Sequence, residues 1–261
     1  MGLDEIFAPL PYGFSPFSAI ADRLIPCRAK ARLPEDPVTV ISVLFPYYLG
    51  EENYVGRNVS RYAVPADYHV VAGAMLKEMA EKLRKIYPGN VFEPFVDDSP
   101  IPEVRAAVNA GLGVLGRNSL FIHETYGSWV FLGEIVTDRW FPAAKPKLSF
   151  CDDCGACIAA CPGCAIGENG VTPEKCISYL SQKKGELDEE TSEKMKDLGC
   201  AWGCDVCQSV CPKNIHAQKT PIRAFYDTAD PHITQDTPIE GRAFGWRGKK
   251  VIERNLKELG R

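Results

Sequence analysis

The chain has no apolar run approaching the length of a membrane span, so no membrane partner is expected. A secretory signal is missing too. Asp4, Glu5, Pro9 and Pro11 crowd a stretch where a signal would need basic residues followed by an unbroken apolar core. Position 6 holds Ile, so the Met1-Gly2 start lacks the Ser or Thr of a myristoylation signal. No self-similarity at solenoid periods is found. Positive charge is not in excess: 30 Lys and Arg stand against 34 Asp and Glu, a net charge of −4, and nothing pulls the whole chain toward nucleic acid. These absences point to a cytoplasmic protein.

What is present is ordinary in bulk. Hydrophobic residues make up 45% of the 261 and charged residues 25%, enough for a sizeable core in one or two domains. "VTVISVLFPYY" (38–48) reads as a buried strand. "ADYHVVAGAMLKEMAEKLRKIY" (66–87) reads as an amphipathic helix capped by Asp67, with Val71, Met75, Met79, Leu83 and Ile86 as its stripe. "NVFEPFV" (90–96) reads as another strand, and "SPIPEVRAAVNA" (99–110) as a helix capped by Ser99. Strands over 119–123 and 129–138 flank a turn at 124–128. The expected fold class is α+β or α/β over residues 1–140. A Pro-containing connector (139–150) leads to a cysteine-rich segment (151–217), and a polar tail (218–261) ends in a short helix at 249–259. From Arg242 onward that tail has seven Lys or Arg against Glu253 and Glu258. It reads as a solvated helix face or as a patch for RNA or another partner.

"AGLGVLGRN" (110–118) holds Gly111, Gly113 and Gly116 in the spacing of a dinucleotide fingerprint, with Glu134 and Asp138 near the distance of a ribose-binding acid. The context is reversed. A helix precedes the glycines and strands follow them, whereas the fingerprint needs a strand before and a helix after. Gly111 is therefore read as a left-handed helix stop, and the turn as structural or as a close backbone approach to some other cofactor.

Ten of the 11 cysteines lie between 151 and 211. Without a secretory signal, metal binding is the default reading. "CDDCGACIAACP" places Cys151, Cys154, Cys157 and Cys161 in the bacterial ferredoxin run followed by Pro. "CDVCQSVCP" adds Cys204, Cys207 and Cys211. Two [4Fe–4S] clusters need about eight thiolates. Seven are in these runs, and Cys200, Cys176, Cys164 and Cys27 compete for the eighth place. Spacing favours Cys200. Two neighbouring clusters make an electron wire, so the preceding domain either holds a catalytic cofactor or docks against one.

Taken together, "SRYAVPADYH", "FVDDSP", "AGLGVLGRNSLFI", "GSWVFLGEIVTD", "CDDCGACIAACP", "CISYL" and "GCDVCQSVCPKN" resemble the epoxyqueuosine reductase family over residues 38–215. These are cobalamin-dependent iron–sulfur reductases of queuosine tRNA biosynthesis, related to reductive dehalogenases. The resemblance implies a corrinoid-binding domain followed by a ferredoxin-like two-cluster domain, with cobalamin and two [4Fe–4S] clusters. It implies one cluster on Cys151, Cys154, Cys157 and Cys211, and the other on Cys161, Cys176, Cys204 and Cys207. It makes Asp97 the proton donor, and partial burial would raise its pKa toward the useful range. It draws Arg61, Tyr68, His69, Gly111, Gly113, Asn118, Ser119, Ser178 and Tyr179 toward the corrinoid, with His69 either an axial ligand or an ordinary surface histidine. An external low-potential electron donor and tRNA are the implied partners. The chain departs from the family in lacking its longer members' C-terminal helical-repeat domain. Weak, salt-dependent tRNA binding is therefore expected, with a small-molecule substrate or a partner's corrinoid as the alternatives.

Overall fold

The computed structural model describes residues 2–143 and 151–260, so the connector's residues 144–150 lie outside the described chain. After a short helix α1 (Leu3–Phe7), four strands build one sheet: β1 (Tyr12–Pro16), β2 (Thr39–Pro46), β3 (Phe92–Phe95) and β6 (Val130–Thr137), in the order β1-β2-β6-β3. Every pairing in it is antiparallel, which favours α+β over α/β within the expected class. β2 and β6 are central. Pro16 and Pro94, which cannot donate to a ladder, fall on the two edge strands. β1 escapes sequence reading because "YGFSP" has neither alternation nor a β-branched run.

Helix α2 (Tyr68–Ile86) covers one face of the sheet. Asp67 caps it, its Oδ1 accepting from His69 N at 3.0 Å. The buried stripe is Ala72, Leu76, Met79, Ala80 and Leu83. This lies slightly to one side of the expected stripe, leaving Val71, Met75 and Ile86 at the margin. The helix sits close because β6 offers Gly133 beneath it. A Cβ there would meet Leu76 Cδ1 at 2.5 Å. Helix α3 (Glu103–Asn109) covers the other face, against β1, β2 and β6. It starts later than expected, because Pro102 disfavours helical backbone at Ile101. Ser99 does not cap it, and its Oγ accepts from Ile101 N instead. Gly111 stops α3 with φ 74°, as expected. Of the two strands expected next, 129–138 is β6 itself, while 119–123 shrinks to the two-residue β5 (Phe121–Ile122), which pairs with β4 (Val114–Leu115) in a small hairpin.

The cysteine segment carries α4 (Ala156–Ala160), the hairpin β7 (Ile166–Gly167) and β8 (Gly170–Val171), α5 (Ile177–Ser181), α6 (Glu189–Leu198) and α7 (Val206–Ser209). Helices α8 (Arg223–Asp227) and α9 (Lys249–Glu258) follow. The expectation of a polar tail needs correction. Phe225, Phe244, Val251, Ile252 and Leu256 are buried in the same core as Phe7, Leu76 and Trp202. Asn58 exchanges bonds of 2.8 Å with the backbone of Ile233, 175 positions away. Buried Asn255 ties α9 to the carbonyls of Ser181 and Ala201. The tail reads as polar because α9 is strongly one-sided, with a narrow apolar face. Leu256→Ala should accordingly cost about 2–5 kcal/mol in denaturant unfolding, whereas a draped appendage would lose less than about 0.5 kcal/mol.

Candidate active site

The cysteines fall into two groups in space. Gly155, at φ 74°, turns the chain into α4, which packs against α7. Around that junction Cys151, Cys154, Cys157 and Cys211 line one hollow. Cys161, Cys176, Cys204 and Cys207 line a neighbouring cavity of about 420 Å³. Electrostatics follows the same division: Cys157 feels Cys151 and Cys211, while Cys204 and Cys207 feel Cys176 and Cys161. Backbone N–H groups of Arg117 and Ala165 donate to Cys151 Sγ and Cys161 Sγ, each at 3.3 Å. Among the described residues no three His, Cys, Asp or Glu converge on a single-ion site; the thiols stand around hollows instead. Cys200, favoured by spacing, belongs to neither group. It is buried and its thiol donates to the carbonyls of Trp202 and Gly203. Burial pushes its pKa up to about 12.

The second cysteine cavity adjoins a larger one of about 780 Å³, with which it shares Tyr62, Phe131 and Ser178 as walls. Tyr68, His69 and Asp97 line its far side, and Trp246 stands at its edge. Helix α2 and the loop after β3 bring this group together. Tyr68 stacks on Phe131 with ring centres 4.2 Å apart, and its hydroxyl donates to Asp97 Oδ2 at 2.5 Å. His69 Nε2 lies 3.3 Å from the same oxygen, and its Nδ1 lies 2.7 Å from Asp67 Oδ1. Asp97 and Asp98 both hold left-handed backbone, φ 46° and 30°. Asp97 N donates to Glu103 Oε1 at 2.9 Å, and Asp98 N to Asp97 Oδ1 at 2.8 Å.

This geometry corrects the expected pKa of Asp97. The His69 hydrogen bond, helped by Tyr68, outweighs burial and holds the carboxyl well below its usual range. His69, paired with Asp67 and then Asp97, is pushed up from 6.5 to about 9. At neutral pH the proton therefore sits on His69, between two carboxylates. The raised histidine pKa gives a stability contribution that is full below about 6.5 and is lost as pH rises through about 9.

Of the residues expected around a corrinoid, Tyr68, His69, Asp97, Asn118, Ser119 and Ser178 line the two adjoining cavities. Four do not. Arg61 is buried behind the wall, bonded to Glu51 and Ser209 and lying over Tyr54 and Trp129. Tyr179 is exposed beneath Lys183. Gly111 ends α3, and Gly113 is needed because a Cβ there would meet the Ile122 carbonyl at 2.2 Å. The turn these glycines shape reaches the cysteines instead, through Arg117 and Asn118. Sequence reading missed Tyr62, Phe131 and Trp246. Tyr62 lies inside a motif already singled out and Phe131 in an expected strand, but nothing local marks Trp246.

Comparison with known proteins follows the same outline. A 4Fe-4S double cluster binding domain matches residues 150–214, and the family described as epoxyqueuosine reductase QueG, DUF1730, matches residues 28–98. An epoxyqueuosine reductase of Leadbetterella byssophila is 35% identical, the match covering 87% of this chain and 76% of that protein. One of Lactococcus garvieae is 34% identical over 85% of this chain and 68% of that protein. Of several other curated relatives the chain spans about half the length, as with that of Escherichia coli, at 50%. A solved epoxyqueuosine reductase, crystallised with an epoxyqueuosine-modified tRNA-Tyr stem loop, superimposes with a TM-score of 0.82 at 24% identity, covering 98% of this chain and 78% of that one. A reductive dehalogenase structure, described as suggesting a mechanism for B12-dependent dehalogenation, shares the fold at a TM-score of 0.53 and 16% identity, over 96% of this chain and 33% of that one.

Proposed function

The chain belongs to the epoxyqueuosine reductase family, and from that premise we propose that it reduces the epoxide of epoxyqueuosine in tRNA to queuosine, using two [4Fe–4S] clusters and cobalamin. The observation that carries this reading is the pair of adjoining cavities, one lined by four cysteines and the other by the Asp97–His69–Tyr68 group. Cys151, Cys154, Cys157 and Cys211 would hold one cluster, and Cys161, Cys176, Cys204 and Cys207 the other. The donor set fits, because each group is four thiols around a hollow with a backbone N–H aimed at a sulfur. The cleft between them and Asp97 also fits a corrinoid: Tyr62 and Phe131 offer flat apolar walls, and Asn118, Ser119 and Ser178 offer polar groups to its periphery. Bound there, cobalamin would supply a low-potential, strongly nucleophilic centre fed one electron at a time. The protein's own share is to position the substrate, exclude water and hold a proton at His69 beside the Asp97 carboxylate. An external low-potential donor would load the clusters, and a tRNA substrate implies work in the cytoplasm.

Beyond Trp246, 61% exposed at the cleft edge, the surface turns basic. A groove of about 480 Å³ is lined by Lys184, Arg247, Lys249, Lys250 and Arg254, with Glu186. Arg254 is spent on the carbonyls of Ser181, Lys183 and Gly185. Lys249 pairs with Glu253 at 3.5 Å, which leaves Lys184, Arg247 and Lys250 to suit phosphates flanking a nucleoside that enters the cleft. The test is to incubate the anaerobically loaded, reduced protein with epoxyqueuosine-containing tRNA at low salt and look for queuosine by mass spectrometry. In binding titrations, reversing both Lys184 and Lys250 to Glu should flatten the salt dependence by about one unit of slope per lost phosphate contact. No conversion by a cobalamin-loaded, reducible protein would redirect the assignment to a small molecule or a partner's corrinoid.

A further inference from the structure

Glu134 is completely buried at the centre of the sheet, and neither of its carboxyl oxygens has a hydrogen-bond partner among the described residues. Its register explains the position. It lies on β6 between Ser42 of β2 and Phe95 of β3, and Ser42 Oγ is likewise unpartnered. This is the sheet face that α3 covers, and α3 begins with Glu103. The ionisable groups acting on Glu134 are Glu103 and Asp97, both acidic. Those acting on Glu103 are Asp97 and His69. An uncompensated carboxylate is too costly to keep in such a place, so Glu134 is held neutral. Burial, with the Asp97 charge, pushes Glu103 up to about 7. Glu103 is joined to the Asp97 loop by the Asp97 N–H bond to its carboxyl, and Glu134 meets Glu103 and Asp97 through charge alone.

Resting on the function proposed above, the chemistry gives these acids a task. Converting an epoxide to an alkene breaks two C–O bonds and releases the oxygen as water. Each turnover therefore takes up two electrons, from the low-potential donor through the clusters, and two protons. The His69–Asp97 pair holds one proton. We propose that Glu103 is the store for the second proton behind Asp97, giving it up and regaining it, while Glu134 keeps its own proton permanently and so adds no second negative charge beside Glu103. Neither touches the substrate, so both are positioning residues that act through Asp97.

Infrared spectra of the cluster-loaded full chain test the store without substrate. A protonated-carboxyl band should persist through neutral pH in the wild type and vanish in Glu134→Gln. A second band, titrating near pH 7, should vanish in Glu103→Gln. In the holoenzyme, Glu103→Gln should lower steady-state kcat by roughly 10²-fold, the low end for a lost proton-transfer group, and should remove the limb of the kcat–pH profile near pH 7. KM should stay unchanged. A wild-type spectrum in Glu134→Gln would overturn the store, because Glu134 would then be ionised in the fold. Unchanged pH profiles in Glu103→Gln would overturn it as well, reducing the pair to a packing feature. Should Glu134→Gln fail to fold, the Glu103→Gln profile decides. A wild type that binds cobalamin yet reduces no epoxyqueuosine would overturn the function above, while the infrared bands would still decide whether the acids are neutral.

Discussion

Asp97→Asn should lower turnover by about 10²–10⁴-fold while leaving cobalamin retention and iron content as in the wild type. Asn keeps the shape and still accepts from Tyr68, but it offers no charge to hold a proton on His69. The pH profile is the sharper readout. In the wild type, activity should fall as pH rises through about 9, where His69 gives up its proton. In Asp97→Asn that limb should move toward the ordinary 6.5 without reaching it, because Asp67, the stronger of the two partners, is still in place. Asp98→Asn should change little, since Asp98 is tied to the loop through its backbone N–H. Equal losses in the two variants would point to the architecture of the strained loop rather than to the proton.

Cys176→Ala should cost a whole cluster. Iron should fall from about eight to about four atoms per chain, and turnover should drop to background because the wire to the cleft is cut. Cys200→Ala should keep all the iron. The reasoning is spatial: Cys176 lines the same cavity as Cys161, Cys204 and Cys207, whereas the Cys200 thiol is turned into backbone carbonyls. Anaerobic iron and sulfide analysis decides between them, and iron loss in Cys200→Ala alone would reverse the assignment.

These two cysteines mark the limit of what the sequence discloses. The runs at 151–161 and 204–211 are legible because cluster ligands on tight loops are spaced by local geometry. The eighth thiol of the two groups comes from a separate helix start, and spacing alone favours Cys200, which stands in neither group. Helix α2 and its Asp67 cap are legible for the same local reason. Side-chain direction in irregular segments is not. Arg61 and Tyr62 are neighbours in one motif, yet the guanidinium is turned into the wall while the Tyr62 ring faces the cleft. Glu134 stands at the distance expected of a ribose-binding acid, and only the register of β6 shows it beneath α3. Trp246 and the basic groove depend on α9 returning to the core, and the helix's narrow apolar stripe conceals that return.

The return of the tail also sets an order on the making of the protein. Asn58 waits for Ile233, and Trp202 waits for Phe244, before the core can close. Contacts so distant in sequence form slowly. Synthesis is vectorial, at about 5–20 residues per second, so all the cluster cysteines leave the ribosome before α9 exists to lock them in. The nascent chain thus passes through a stage in which its thiols are complete and its core is open. A cluster delivered in that interval would enter an open core, and α9 would then close over it.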